Sequence, residues 1–342
     1  MKDDQKRIKV GIIGTGWVAD MRHAPVFGRN KKTELVAVYN PQLDLAEAFA
    51  KKHNIPCVFN NLEEFLKDPF DLVSICTPPM SHFSLAKKSL EAGKHVLLEK
   101  PVTVSTAEAL ELEELATQNH VILCPAHNFL FCRAMTQAKA LIEKGKIGEI
   151  IGAMGIQWSS NKRTLPTWFN QLPGGLFFDE SPHLLYLLDY FLKDVKIEDA
   201  WRTTTPVLDR FEARLKGERG EGLLTMWFGA PLSEWLIIVS GTQGALVIDI
   251  FRDVLLYFPP ERYRNPQYLF QVIARAEIQI WRQMIAWVIT RFTSGSHLFG
   301  LDNLVEQLTQ AILLNKEQPV QAKEGRKIVN LIEDILKLSK KS

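Results

Sequence analysis

The residues with the clearest chemical meaning lie in a short glycine turn near the N-terminus. Gly14, Gly16 and Ala19 follow the apolar run 8–13 and precede a segment with helical spacing. In a strand–turn–helix unit, the first glycine makes the turn, the second lets the backbone approach a pyrophosphate, and the small third residue allows close packing. The spacing predicts a dinucleotide-binding loop, with an ordinary glycine turn as the alternative. The expected contacts are Gly14, Thr15, Gly16, Trp17 and Val18.

The end of the second predicted strand indicates which dinucleotide is bound. An acidic residue there would bind the ribose 2′-hydroxyl of NAD, whereas a nearby arginine would favour the 2′-phosphate of NADP. The position holds Asn40, followed by Pro41 and Gln42. Because no cation follows, we expect NAD, although asparagine does not repel a 2′-phosphate as aspartate would.

Two different rhythms of predicted elements divide the chain. Up to residue 126, apolar runs alternate with helix-forming stretches, which predicts an α/β domain with a parallel sheet covered on both faces. Beyond it, the helices 134–144 and 182–192 are followed by closely spaced strands, which predicts an α+β domain with an open, mostly antiparallel sheet. We therefore expect a Rossmann domain over 1–126 and a second domain over 127–342.

The composition of the chain indicates which class of partner and which compartment to expect. The 41 basic and 39 acidic residues give a net charge of +2, so nothing indicates nucleic-acid binding, and a small molecule is the expected partner. The first residues lack the apolar run of a signal peptide, which favours a cytoplasmic protein. The four cysteines lie in apolar segments without a CxxC pair, so we expect free thiols and no metal site.

Three further motifs resemble one protein family. They are Thr77-Pro78-Pro79-x-Ser81-His82, Glu99-Lys100-Pro101 and Gly174-Gly175 with Asp179-x-x-x-His183. Over nearly the whole chain, the sequence resembles the glucose–fructose oxidoreductase and inositol dehydrogenase (Gfo/Idh/MocA) family. The resemblance implies a Rossmann domain plus an open-faced sheet domain, and homodimers or homotetramers formed through that sheet. It also implies oxidation or reduction of a ring hydroxyl or carbonyl of a sugar, sugar nucleotide or cyclitol.

The resemblance implies roles for individual residues as well. Lys100 is similar to the family's catalytic lysine, with a cis peptide bond before Pro101, and Asp179 and His183 are similar to its acid/base pair. Chemistry agrees, because hydride transfer from an alcohol needs a base near neutral pKa and a cation for the developing alkoxide. The alternative interpretations are that Lys100 is an ordinary surface lysine and that His183 is a histidine buried on an amphipathic helix. Tyr186 departs from the family, which often has an aspartate there.

The remaining site residues are predicted from their positions. We expect Ser181 to cap the helix of His183 and Pro182 to lie in its first turn, which leaves Asp179 just outside that helix. Arg163 and Trp168 lie in a polar loop that either lines the substrate pocket or is simply solvated. Further cofactor contacts are expected from Thr77, Pro78, Pro79, His82, Glu99, Lys100 and Asn128. Substrate contacts are expected from Lys100, Asn128, Arg163, Trp168, Asp179, His183 and Tyr186. His23, His53, His95 and His120 are interpreted as structural.

The segment 268–292 combines a polar stripe with a wide apolar face. Charges interrupt it, so it cannot span a membrane. Burial in an oligomer interface or against the sheet is expected, and an interfacial membrane helix is the alternative. The apolar face consists of Phe270, Ile273, Ile280, Trp281, Met284, Trp287 and Val288.

Two other functions fit the same sequence. One is a glycoside hydrolase that oxidises its substrate transiently with NAD, and the other is a catalytically silent NAD-binding regulator. Net NADH formation with an unglycosylated substrate would separate the dehydrogenase from both. The presence of both Lys100 and His183 argues against the silent regulator.

Overall fold

The computed structural model describes residues 7–206, 208–260, ten helical positions between 270 and 288, and 299–341. The chain forms two compact units, one of residues 1–128 with 301–330 and the other of residues 129–300 with 331–342. The sequence-based division at residue 126 differs from this arrangement because it assigned 301–330 to the second domain.

The first unit contains a six-stranded parallel sheet in the order β3-β2-β1-β4-β5-β6. Its strands are β1 (Ile8–Ile13), β2 (Thr33–Tyr39), β3 (Cys57–Phe59), β4 (Leu72–Ile75), β5 (His95–Leu98) and β6 (Leu123–Pro125). After β3 the chain crosses to the other side of β1, so β1 and β4 form the switch point at which open α/β sheets bind ligands. This confirms the predicted Rossmann arrangement.

Helices connect these strands, as the alternating pattern predicts. After the glycine turn, a π-helical segment (Ala19–His23) leads into α1 (Ala24–Arg29). The other helices are α2 (Leu43–His53), α3 (Leu62–Lys67), α4 (His82–Glu91) and α5 (Thr106–Gln118).

Two C-terminal helices, Leu301–Leu314 and Ala322–Leu338, account for the assignment of 301–330 to the first unit. Glu306 pairs with Lys32 and accepts a hydrogen bond from Asn30. Farther along, Arg326 donates to Glu113 at 2.7 Å. These contacts join residues that are far apart in sequence, and no local pattern predicts them.

The second unit contains an eight-stranded sheet in the order β13-β12-β11-β7-β10-β9-β8-β14. Its pairs are antiparallel except β7 with β10 and β8 with β14. The strands are β7 (Ile150–Ser160), β8 (Lys196–Thr204), β9 (Asp209–Gly217), β10 (Gly220–Ala230), β11 (Glu234–Gly241), β12 (Gly244–Asp249), β13 (Val254–Phe258) and β14 (Lys340–Lys341). The predicted open, mostly antiparallel sheet is confirmed.

Two helices of this unit, α6 (Arg133–Glu143) and α7 (Leu176–Leu192), pack near the sheet, and α7 lies against β7 and β10. Gly155 of β7 permits the close approach, because a Cβ there would lie 3.1 Å from Cδ1 of Leu188. The helix is thereby held directly on the sheet.

Helix α7 begins at Leu176, six residues before the predicted start, with Pro182 inside it. The predicted cap at Ser181 was wrong. The extra turns are stabilised by burial of Phe177 and Phe178, and Phe177 stacks on Phe211 with ring centroids 4.2 Å apart. This burial outweighs the helix hydrogen bond that a proline cannot donate.

The predicted helix over 268–292 is described only in part. The described positions from 270 to 288 are helical, and Phe270, Trp281 and Met284 are 74%, 62% and 49% exposed. The sheet of the same chain therefore does not bury these side chains. Ile273 and Trp287 lie outside the described residues. Among the residues that the structure describes, no helix has the length and apolar character needed to cross a membrane.

Candidate active site

The glycine turn after β1 has the geometry that a pyrophosphate requires. Gly14 has a φ of +90°, and a Cβ there would lie 2.9 Å from Cγ2 of Thr77 and 3.0 Å from the Cys76 carbonyl oxygen. A Cβ at Gly16 would meet no heavy atom within 4 Å, so the turn borders open space. Ala19 is fully buried, as its packing role requires. The turn therefore fits a dinucleotide.

The end of β2 is tied to this turn by Asn40. Its Nδ2 donates to Oγ1 of Thr15 at 2.7 Å, and its Oδ1 accepts from the backbone N–H of Gln42 at 2.9 Å. The side chain is neutral and its two polar ends are directed to these partners. Asn40 thus orders the loop where a ribose would lie in a Rossmann fold.

The turn after β4 contains Thr77, Pro78 and Pro79 and is ordered by two side chains. Ser81 donates to Oγ1 of Thr77 at 2.8 Å. His82 is fully buried, with Nδ1 2.8 Å from the Pro101 carbonyl oxygen and Nε2 2.8 Å from that of Thr77. Burial lowers the pKa of His82, against the opposing effect of the carbonyl oxygens. His82, which the sequence predicts as a cofactor contact, links the turns after β4 and β5.

The turn after β5 carries Glu99 and Lys100, and the Lys100–Pro101 peptide bond is cis, as the resemblance implies. The Glu99 carboxylate uses one oxygen to accept from the Lys100 N–H at 3.2 Å, and its other oxygen lies 2.8 Å from Nε2 of His23. Burial alone would raise the pKa of Glu99, but His23 lowers it to about 2. The carboxylate is therefore ionised at neutral pH.

His23 is a residue of this site that the sequence interpretation assigned to structure alone. It is fully buried and its Nδ1 lies 2.7 Å from Oγ of Ser74. Burial alone would lower the pKa of His23, but Cys76 and Glu99 raise it to about 10. Its place on the helix after the glycine turn was the only signal in the sequence, since its partners, Ser74 on β4 and Glu99 after β5, are more than fifty residues away.

The first unit ends beside two more buried polar residues, of which the sequence predicts Asn128 as a cofactor and substrate contact. Asn128 is 6% exposed and begins a short 3-10 turn, Asn128–Phe131. His127 is 2% exposed, and burial lowers its pKa to about 3, so it is neutral at physiological pH.

In the second unit, His183 lies in an aromatic pocket. Its ring stacks on Phe129 with centroids 4.4 Å apart and meets Trp235 edge-on at 5.3 Å. Nδ1 lies 2.9 Å from the phenol oxygen of Tyr186, which also accepts from the Phe129 N–H at 3.2 Å. The imidazole is only 7% exposed, so its plane and its Nδ1 contact are fixed.

The early start of α7 changes the relationship between the two candidate acid/base residues. Asp179 and His183 are four residues apart within one helix and thus share a face. The sequence-based expectation that Asp179 lies outside the helix was wrong. Both side chains are therefore positioned by the same rigid element.

A buried polar cluster joins α7 to β7 one turn before His183. Glu180 is 4% exposed, pairs with Nη1 of Arg163 at 2.6 Å and accepts from the Ser159 hydroxyl at 2.7 Å. The Gln157 amide also donates to it. Arg163 is thus anchored rather than freely solvated, whereas Trp168 is half-buried in the 3-10 turn Thr167–Gln171. Sequence reasoning missed Glu180, because no local pattern pairs it with Arg163.

Within each unit, the structure gathers part of the predicted set. The glycine turn, Asn40, Thr77, Glu99 and Lys100 follow the carboxyl ends of strands of the first sheet. Asp179, His183 and Tyr186 lie on α7 of the second unit.

Comparison with known proteins agrees with this arrangement. The family model described as "Oxidoreductase family, NAD-binding Rossmann fold" (GFO_IDH_MocA) matches residues 8–127. An uncharacterized oxidoreductase of Schizosaccharomyces pombe is 32% identical over 319 residues, which are 89% of this chain and 74% of that protein. A second, from Synechocystis, is 34% identical over 49% of this chain and only 46% of its own length.

Two further similar proteins have named activities. A dTDP-3,4-didehydro-2,6-dideoxy-alpha-D-glucose 3-reductase from Streptomyces violaceoruber is 26% identical over 76% of each chain. The structure of a levoglucosan dehydrogenase in complex with NADH and L-sorbose superposes with a TM-score of 0.80 at 18% identity, covering 98% of both chains. At that identity the likeness shows the fold. Together with the family match over 8–127 and the long alignment to the fission-yeast relative, it shows that this chain belongs to the Gfo/Idh/MocA family of oxidoreductases.

Proposed function

We propose that this protein transfers a hydride between NAD and the carbon that bears a ring hydroxyl or carbonyl of a sugar, sugar nucleotide or cyclitol. The observation that carries the proposal is the setting of His183, a buried imidazole fixed by Tyr186 on the helix that also bears Asp179. A sugar-nucleotide reductase and a dehydrogenase seen with NADH and L-sorbose are among the similar proteins, which supports this substrate class.

The residues around the glycine turn fit NAD. Bound NAD supplies the hydride acceptor for oxidation, and NADH the donor for reduction. The open space at Gly16 accommodates the pyrophosphate, and Asn40 and Thr15 order the loop for the ribose. Because 40–42 contains no cation to pair with a 2′-phosphate, we propose that NAD is preferred over NADP.

The chain's own residues perform the proton chemistry. In oxidation, the hydroxyl O–H bond breaks and His183 takes the proton, while the C–H bond breaks and the hydride leaves with its electron pair as the carbonyl forms. Lys100 stabilises the developing negative charge on the oxygen. The Asp179 carboxylate stabilises the imidazolium that results. Reduction runs through the same residues in reverse.

We further propose that Arg163, Trp168, Asn128 and Tyr186 contact the substrate or shape its site. The anchoring of Arg163 Nη1 by Glu180 and Ser159 supports this role, because it fixes a planar donor whose side chain is still 37% exposed. A guanidinium fixed in this way can donate to sugar hydroxyls with little loss of side-chain entropy.

We also propose that the protein is a homodimer or homotetramer formed through the sheet face opposite α7. Trp158 and Trp227 lie side by side on that face, with ring centroids 5.8 Å apart, and Met154 is 37% exposed. The exposed apolar positions between 270 and 288 would add to this interface. Light scattering measures the oligomer, and flotation with anionic liposomes tests the alternative of a membrane-surface helix.

The proposed activity is tested by screening cofactor-stripped protein against UDP-sugars, free sugars and inositols while NADH absorbance is followed. The expected result is NADH formation that depends on an unglycosylated substrate and is lost in His183→Ala. Cleavage of glycosides without net NADH would indicate the transient-oxidation hydrolase instead. NAD binding without any turnover would indicate a regulator.

A further inference from the structure

A line of hydrogen bonds crosses the first unit beneath the turn that carries Lys100. It begins at the Ser74 hydroxyl on β4, passes through both ring nitrogens of His23, and reaches the Glu99 carboxylate at the end of β5. The second Glu99 oxygen accepts from the Lys100 N–H. The line therefore ends on the backbone of the lysine to which we assign stabilisation of the alkoxide.

The local structure places His23 for this role. His23 is the last residue of the π-helical segment that follows the glycine turn. Such segments are rare and frequently occur at functional sites. Here the ring is fully buried, and its two nitrogens contact Ser74 on β4 and Glu99 in the turn after β5.

We propose that His23 is a positioning residue of the reaction, which acts through Glu99 to fix the place and electrostatic surroundings of Lys100. This inference rests on the proposed function of Lys100. It also gives the dinucleotide-binding helix a direct mechanical connection to the turn after β5.

Charge explains why a histidine stands there. Three charged groups act on the Glu99 carboxylate: His23, Lys100 and Arg22. With His23 protonated, one carboxylate oxygen is matched by the buried imidazolium, and the lysine ammonium does not have to neutralise the carboxylate alone. Without that partner, the carboxylate would attract the ammonium more strongly, and the lysine nitrogen would be less available to an acylating reagent.

The test compares His23→Gln and Glu99→Gln with His95→Gln as a matched control. His95 is a half-buried histidine on the same sheet that accepts a hydrogen bond from the Ile122 N–H at 3.0 Å. The variant His95→Gln therefore shows how much the replacement of a histidine in this domain changes labelling and turnover in general.

Trace acetylation of Lys100, quantified by peptide mass spectrometry, gives a readout independent of substrate. At about pH 8, where few lysine amines are deprotonated, labelling should be slower in His23→Gln, faster in Glu99→Gln and unchanged in His95→Gln. A purely structural role would not shift the two variants in opposite directions. If His23→Gln does not fold, Ser74→Ala replaces it, with a smaller decrease in labelling expected.

Turnover supplies the second readout once a substrate is identified. His23→Gln should lower kcat by about tenfold to a hundredfold, the range for a misplaced catalytic group, while NADH affinity stays within about threefold. Labelling in His23→Gln and Glu99→Gln that matches the control would overturn the inference, whatever the activity. Opposite labelling shifts in a protein that oxidises no sugar or cyclitol would support the positioning link and contradict the proposed function.

Discussion

The phenol oxygen of Tyr186 lies 2.9 Å from Nδ1 of His183 and 3.2 Å from the backbone nitrogen of Phe129. The Phe129 N–H donates to this oxygen, so the backbone fixes the position of the phenol that contacts the imidazole. Tyr186 therefore makes a contact that orients the candidate base, at a position where the family often has an aspartate.

Replacing this tyrosine should affect catalysis more than folding. In Tyr186→Phe the stacking of His183 on Phe129 remains, but Nδ1 loses its contact with the phenol oxygen, so kcat should fall by about tenfold or more. Tyr186→Asp should move the rising limb of the oxidation pH profile to higher pH, because a carboxylate stabilises the imidazolium and raises the pKa of His183. Initial rates from about pH 6 to 10 measure this shift, and coincident profiles would contradict it.

Lys100 and His183 should each be essential for turnover. Lys100→Met should lower turnover by about a hundredfold or more while dinucleotide affinity changes little, since the cation acts mainly in the transition state. His183→Ala should lower turnover by about 10² to 10⁴-fold. Because both assist one proton transfer, the double variant should lose much less than the product of the single losses. Near-wild-type rates in both folded single variants would show that the assignment is wrong.

Local patterns were sufficient to predict the fold class of both units, whereas contacts between residues distant in sequence were not predicted. The residue types and spacing in the glycine turn and the alternation through residue 126 reflect local backbone rules, and the structure has the predicted strands there. His23 and Glu180 were missed because their partners are distant in sequence: Ser74 and Glu99 for His23, and Ser159 for Glu180. The start of α7 was misplaced because buried Phe177 and Phe178 stabilise a helix that Pro182 alone would discourage.

The two glycines of the turn should respond differently to a side chain. In Gly16→Val the new atoms enter open space, so the melting temperature should change little while NADH affinity falls strongly. In Gly14→Ala the positive φ and the short contact with Thr77 should destabilise the fold instead. Thermal melts and NADH fluorescence titrations of both variants measure this contrast. Unchanged NADH affinity in Gly16→Val would show that the pyrophosphate does not bind at this turn.

Cofactor choice should depend on Asn40. The wild type should bind NAD(H) at least as tightly as NADP(H), because no cation in 40–42 pairs with a 2′-phosphate. Asn40→Asp should weaken NADP(H) further through charge repulsion and leave NAD(H) the preferred ligand. Calorimetry on cofactor-free protein measures the affinities of the wild type and of Asn40→Asp for NAD(H) and for NADP(H). Tighter NADP(H) binding by the wild type would contradict this interpretation of Asn40.

The pair of His23 and Glu99 should make stability depend on pH in two separate ranges. The pKa of Glu99 is lowered to about 2, so its stabilisation is present above the ordinary pKa of about 4.5 and is lost as the pH falls toward 2. The pKa of His23 is raised to about 10, so its stabilisation is complete below the ordinary value of 6.5 and is lost as the pH rises toward 10. Between about pH 4.5 and 6.5 both contributions to stability are complete.

The alkaline range provides the sharper measurement, because the cysteine thiols that also titrate between about pH 7 and 9 are common to the wild type and both variants, so their contribution cancels in the comparison. Denaturation midpoints of the wild type should decrease across this range. His23→Gln lacks the imidazole that loses its proton as the pH rises, so its midpoints should decrease less. His95→Gln should follow the wild type, since it leaves the pair intact. Parallel curves for wild type and His23→Gln would show that His23 is already neutral in the folded protein at pH 7.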